Sequence, residues 1–129
     1  MSVKYERLPV VFDATGIVFE PIQTESLRGH RNVHVVMSEP GVVRGNHYHI
    51  RGEETLVVKG PVLVRYRDHG DLKEIRIEAG DVYRFVFPPG VSHAIKNLSE
   101  VPNILIAFNT IEHDPQNPDT MREILIESL

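Results

Sequence analysis

Cysteine and tryptophan are both missing from this chain, and the first absence narrows its chemistry. Without thiols there is no disulfide framework and no thiolate ligand, so any bound metal must sit on histidine, aspartate or glutamate. Long apolar runs are missing too: none approaches the roughly 20 residues of a membrane-spanning helix. The first residues, MSVKYERLPVVF, lack the apolar centre of a secretory signal peptide. Neither sign of charge dominates, since 14 basic and 18 acidic residues are interspersed and leave a net charge of −4. That argues against a nucleic-acid face and against a membrane-binding helix. The expectation is a soluble cytoplasmic protein of one domain, residues 1–129, long enough to bury roughly two thirds of its unfolded surface.

What the chain does have is dense punctuation. Short segments rich in Val, Ile and Phe recur at 16–22, 32–38, 55–60, 61–66, 73–80, 81–87 and 103–110, separated by turn signals such as SEPG, RDHGD and PPG. EIRIE alternates polar and apolar residues as a half-buried strand does. Many short strands at close spacing predict an all-β antiparallel barrel or sandwich. A single short helix is expected at the C-terminus, where NPDTMREILIESL pairs Thr120 with Glu123 as a capping box ahead of Met121, Ile124, Leu125 and Leu129.

One stretch carries chemistry. VRGNHYHIRGEETLVVKG, residues 43–60, sets two histidines and two adjacent glutamates just ahead of an apolar run. In an extended GNHYH, His47 and His49 share a face and Tyr48 takes the other. Their Cα atoms then lie roughly 6.5–7 Å apart, close enough for both rings to reach one ion. A carboxylate at 53 or 54 returns on the next strand, and His93, after the Pro88-Pro89-Gly90 turn, offers a third imidazole. Three imidazoles and a carboxylate suit a divalent transition metal better than calcium or magnesium.

The spacing of these residues resembles the paired motifs of the cupin family. His47-x-His49, then Glu53, then Gly60 is similar to the first motif; Gly80, Pro88-x-Gly90, His93 and Asn97 are similar to the second, with a longer first gap. The resemblance spans roughly residues 30–110 and implies a double-stranded β-helix. It implies the metal ligands His47, His49, Glu53 and His93, with Glu53 preferred to Glu54 because it keeps the usual gap to Gly60. It also implies one divalent transition metal per chain, zinc first, with nickel, iron or manganese as alternatives. PGVVRGNHYH, FPPGVSHAIKN and DPQNPDT are similar to the C-terminal cupin domain of bifunctional capsular polysaccharide enzymes that epimerise 4-keto nucleotide sugars. VVRGNHYH also resembles the dTDP-4-keto-6-deoxysugar 3,5-epimerases, but Glu53 stands where those enzymes carry a catalytic lysine, and their catalytic tyrosine has no counterpart.

The resemblance therefore implies a nucleotide-sugar epimerase or isomerase of polysaccharide biosynthesis. Its substrate is a small molecule, with no nucleic acid and no membrane as partner. The alternatives are a mononuclear dioxygenase and a non-catalytic sugar-binding cupin. With the imidazoles on the metal, proton transfer falls to His34, to Tyr66, or to His47 acting off the metal. Arg44 and Arg65 are the candidates for the diphosphate. His69 and His113 receive no role. Exposed sheet edges, and the resemblance itself, lead us to expect a homodimer that pairs strands around Val10–Phe12 or Ile17–Phe19.

Overall fold

The computed structural model describes residues 1–127 and consists largely of β-structure. Twelve strands follow one another: β1 (Lys4–Arg7), β2 (Val11–Asp13), β3 (Gly16–Val18), β4 (Asn32–Ser38), β5 (Val43–His49), β6 (Glu54–Lys59), β7 (Val62–Asp68), β8 (Asp71–Ile77), β9 (Val82–Phe87), β10 (His93–Asn97), β11 (Asn103–Asn109) and β12 (Thr120–Arg122). A single-turn helix, α1 (Thr24–Leu27), precedes β4. No helix among the described residues is long and apolar enough to cross a membrane.

The plan is one long hairpin rolled upon itself. β7 pairs with β8 at its tip, then β6 with β9, β5 with β10 and β4 with β11, all antiparallel. Successive pairs fall alternately into two five-stranded sheets, ordered β1-β9-β6-β11-β4 and β12-β5-β10-β7-β8. Lateral pairing of β11 with β6 and of β10 with β7 stitches the coils together. This is the double-stranded β-helix of a cupin.

Apolar alternation decides what lies between the sheets. Leu56 and Val58 on β6, Val62 and Val64 on β7, and Phe85 and Phe87 on β9 form the central core. β6 reads as a continuous apolar run because both its faces are covered. Val57 points outward and is buried under Leu8, Val10, Phe19 and Ile22 from the N-terminal segment. The second sheet is covered from the other terminus, where Leu125 and Ile126 pack on Ala94, Val43 and Leu63.

That second cover replaces the expected C-terminal helix. Thr120–Arg122 pairs as a strand with the open edge of β5, in the register Thr120↔His49 and Arg122↔His47. Residues 123–127 are not helical, and Leu129 lies outside the described residues. The capping box does not form because Glu123 is used elsewhere: its carboxylate accepts from Ser92 Oγ and from Arg67 Nε. A free strand edge and buried apolar neighbours outweigh a weak local helix propensity.

A two-residue irregularity in β5 makes this possible. Gly45 (φ +87°) and Asn46 (φ +56°) both adopt left-handed backbone, and the register between β5 and β10 shifts there. A Cβ at Gly45 would stand 2.7 Å from the His93 carbonyl oxygen, so conformation and contact both require glycine. Asn46 is buried and clamps the C-terminal strap. Its Oδ1 accepts from the N–H groups of Leu125 and Ile126, and its Nδ2 donates to the Ile126 carbonyl.

Asn46→Ala strands two N–H groups and a carbonyl of the strap and leaves alanine in left-handed backbone. Urea denaturation is expected to show a loss of about 2–4 kcal/mol. A loss below about 0.5 kcal/mol would show that the strap is not held through Asn46.

Candidate metal centre

His47 and His49 stand two apart near the end of β5, and His93 opens β10 directly opposite His47. Glu54 opens β6, paired with Phe87 on one side and Asn109 on the other. One ligand atom from each of His47, His49, Glu54 and His93 can be chosen so that all lie within 4.8 Å of one another. Two donors on one ion at about 2.1 Å are at most about 4.2 Å apart, so small side-chain rotations complete such a shell.

The carboxylate brought to the imidazoles is that of Glu54, not the expected Glu53. Glu54 Oε2 lies 3.0 Å from His49 Nε2, and Oε1 lies 2.8 Å from His93 Nε2. Glu53 is held in the preceding loop by its backbone: its N–H donates to Thr110 Oγ1 and its carbonyl accepts from the Thr110 N–H. Adjacent residues entering a strand face opposite ways, so only one of the pair can point inward. Spacing to Gly60 could not register that the loop, not the strand, absorbs residue 53.

His93 is the most constrained member. It is 1 % exposed, its ring stacks on Phe87 at a centroid distance of 4.2 Å, and its Nδ1–H donates to the Val91 carbonyl at 3.0 Å. A carbonyl can only accept, so that bond leaves a lone pair on Nε2, facing a carboxylate oxygen. Two acceptors at 2.8 Å demand either a proton shared between them or a metal ion beside them that both can ligate. The donor set therefore fits a bound transition-metal ion.

Electrostatics favour a neutral His47 and an ionised Glu54, the forms of these two groups that bind a metal. Burial first, then the neighbouring His93, pushes the His47 imidazole down to about 4, so it is neutral near pH 7. Burial alone would raise Glu54, but hydrogen bonds and charge from His49 and His93 outweigh it and hold its carboxyl well below the usual carboxylate range.

A cavity of about 460 Å³ opens beside the cluster. His34, on β4, lines it; its Nδ1–H donates to Asn32 Oδ1 at 3.2 Å, leaving Nε2 with a lone pair. Tyr66 is not brought there. It is buried in the aromatic core against Phe85 and Phe87, and burial raises its phenol pKa. Arg65 donates to Glu74 and to the Leu125 carbonyl, on the strap side of its sheet. Arg44 is exposed, roughly 10 Å back along β5 from His47. Neither arginine lines the cavity.

Three cavity residues escaped the sequence reading. Asn109 is buried at the wall, and its Oδ1 has no hydrogen-bond partner. His113 lines the cavity from the loop after β11. Asp119 accepts from the N–H groups of Arg51 and Gly52 at 2.9 and 2.8 Å and stands 3.8 Å from His49 Nδ1. Burial would raise its carboxyl, but those donors hold it below its ordinary value. The only signal for Asp119 was the segment DPQNPDT; nothing local marked Asn109.

Residues 11–121 match the family of the polysaccharide biosynthesis C-terminal domain. No curated protein is matched. Among solved structures the chain is similar to the capsular polysaccharide assembling protein CapF from Staphylococcus aureus, with 30% identity, a TM-score of 0.64 and coverage of 90% of this chain. The chain spans about a third (34%) of CapF. The RmlC epimerase of Mycobacterium tuberculosis matches at 20% identity and TM-score 0.71, over 93% of this chain and 68% of its own. The QdtA 3,4-ketoisomerase of Thermoanaerobacterium thermosaccharolyticum matches at 18% identity and TM-score 0.71, over 94% and 87%. These last two share the fold.

Acid should unfold the metal-free protein early. His47 has a folded pKa of about 4 against an ordinary 6.5, so the unfolded chain takes up the proton first and stability falls as pH drops from about 6.5 to about 4. Glu54, depressed in the fold, loses its contribution below its ordinary value of 4.5. The melting temperature of chelated protein should decline across this window, and His47→Asn should flatten the upper part. An unchanged slope in that variant would contradict the assignment.

Proposed function

The chain belongs to the polysaccharide biosynthesis C-terminal domain family, and from that premise we propose that it is a metal-dependent cupin that enolises a 4-keto deoxysugar carried on a nucleotide. The observation that carries the reading is the His47–His49–Glu54–His93 cluster opening on a cavity large enough for a sugar ring. The three imidazoles and the Glu54 carboxylate would hold one divalent transition metal, zinc first, with nickel, iron or manganese as alternatives. The likeness to CapF and the shared fold of an epimerase and a ketoisomerase support this assignment over oxygen chemistry. QdtA has been solved with TDP-4-keto-6-deoxyglucose.

A 4-keto sugar has acidified protons on the carbons beside its carbonyl. When bound, the cation supplies Lewis-acid polarisation of the ketone oxygen. His34 would take the proton: it lines the cavity, and its hydrogen bond to Asn32 leaves Nε2 free to accept. Return of a proton to the opposite face inverts the carbon; protonation of the enediol at the neighbouring carbon moves the ketone. Asn109 Oδ1, an acceptor without a partner, receives a hydroxyl of the ring. Tyr66 takes no part.

The exposed apolar edge fits a second copy. Val33, Val35 and Met37 are exposed on edge strand β4, and the separate β2–β3 hairpin exposes Val11, Val18 and Phe12, the last 80% exposed. A two-fold dimer covers such edges economically. Light scattering is expected to give a dimer mass, and Phe12→Asp to shift it toward monomer.

Purified protein should carry about one divalent transition metal per chain. Glu54→Gln should cut metal affinity at least roughly tenfold, whereas Glu53→Gln leaves it in place. In D2O with a dTDP- or UDP-4-keto-6-deoxysugar, deuterium should enter the carbon beside the ketone without oxygen uptake. His34→Ala should slow that exchange about 10²–10⁴-fold while retaining metal. A metal-loaded protein that binds the nucleotide sugar yet incorporates no deuterium would be a binding module. Oxygen consumption with Fe(II) would favour the dioxygenase.

A further inference from the structure

The cavity wall is anionic. It carries the carboxylates of Glu54, Glu112, Asp114 and Asp119, and neither lysine nor arginine lines it. A diphosphate entering such a wall meets repulsion that low-dielectric surroundings strengthen. A nucleotide sugar must therefore place its ring inside and its diphosphate at the rim. The covalent layout of a pyranose permits this, because C1, which bears the phosphate, and C4, which bears the ketone, lie at opposite ends of the ring.

Among the described residues, one cationic side chain is bonded to a wall residue. Arg51 Nε donates to Asp119 Oδ1 at 3.2 Å, and the Arg51 backbone N–H donates to the same oxygen. The root of the side chain is thus fixed, and the Gly52 N–H on the other Asp119 oxygen fixes the loop after it. Yet the Arg51 side chain is 56% exposed, and among the described residues neither of its terminal nitrogens has a hydrogen-bond partner. A guanidinium held at Nε presents its two terminal nitrogens as a fork that matches phosphate oxygens. Arg65 is already committed to Glu74 and Leu125, and Arg44 stands away along β5.

We propose that Arg51 is the phosphate-binding residue of this site, gripping the diphosphate of a nucleotide sugar through Nη1 and Nη2 while Asp119 holds Nε. The inference rests on the nucleotide-sugar reading above and deepens it. Arg51 outside and Asn109 inside fix the direction of entry, ketone end first toward His47, His49 and His93. Asp119 acts as a positioning residue, since it holds Arg51 and the loop after it.

Calorimetric titration of dTDP and UDP into metal-loaded protein tests the assignment, using wild type, Arg51→Ala, Arg51→Gln and Arg44→Ala. Arg51→Gln retains a donor for Asp119 and guards against a folding defect in Arg51→Ala; melting temperature and metal content verify both. Loss of a charge-assisted fork should weaken nucleotide binding roughly tenfold or more and flatten its salt dependence. In turnover, KM should rise by a similar factor with kcat little changed, because the diphosphate is held alike in ground and transition states. Arg51 variants that bind within twofold of wild type, or a loss confined to Arg44→Ala, would overturn Arg51 and leave the nucleotide-sugar reading intact. Wild-type protein that binds neither nucleotide would overturn that reading, and this inference with it.

Discussion

Glu54 places a carboxylate where little water reaches it, between the Nε2 atoms of His49 and His93. A buried charge of this kind is tolerated only when matched by opposite charge and hydrogen bonds, and removing one partner is strongly destabilising. Much of the surrounding structure meets that demand. Strands on both sides of β6 fix the backbone of Glu54, the Val91 carbonyl and the Phe87 ring fix His93, and the neutral His47 completes the set. The cluster is therefore costly unless a proton or a metal ion shares it.

The rear of the site is built from the far end of the chain. β12 lies along β5 behind the two histidines, and Glu123 ties the strap to Ser92, next to His93. Asn46 holds the strap by three hydrogen bonds, and its neighbour Gly45 accommodates the close approach of the His93 carbonyl. In GNHYH each letter thus has a separate task. Glycine allows the bulge, asparagine clamps the strap, two histidines face inward, and tyrosine takes the other face.

The all-β class and most of the central strands were legible because apolar alternation and short apolar runs report on burial, whereas the way the strands pair came only from the family resemblance. The three histidines were legible too, two from strand periodicity and one from a rigid turn that aims it. The choice between Glu53 and Glu54 was not, since it depends on where a loop ends and a strand begins. The C-terminal strap was misread because the partner that overrides its helical pattern, the β5 edge, is remote in sequence. Asn109 was invisible, and Asp119 was marked only by the segment around it, for the same reason: the hydrogen bonds that Asp119 makes, and that Asn109 lacks, exist only after folding. Arg44 and Arg65 were read from residue type alone, and the fold places neither at the cavity.

The rolled hairpin has an entropic consequence for the site. His47 and His93 are far apart in sequence, yet they lie on the third pair of a nested series that begins at the tight turn between Asp68 and Asp71. Closing a loop costs configurational entropy that grows slowly with its free length. Once the β7–β8 and β6–β9 pairs exist, little free chain remains between β5 and β10, so the approach of His47 to His93 is nearly prepaid. Residues from three separate strands are thereby held near one point without any crosslink, in a protein that has no cysteine to make one.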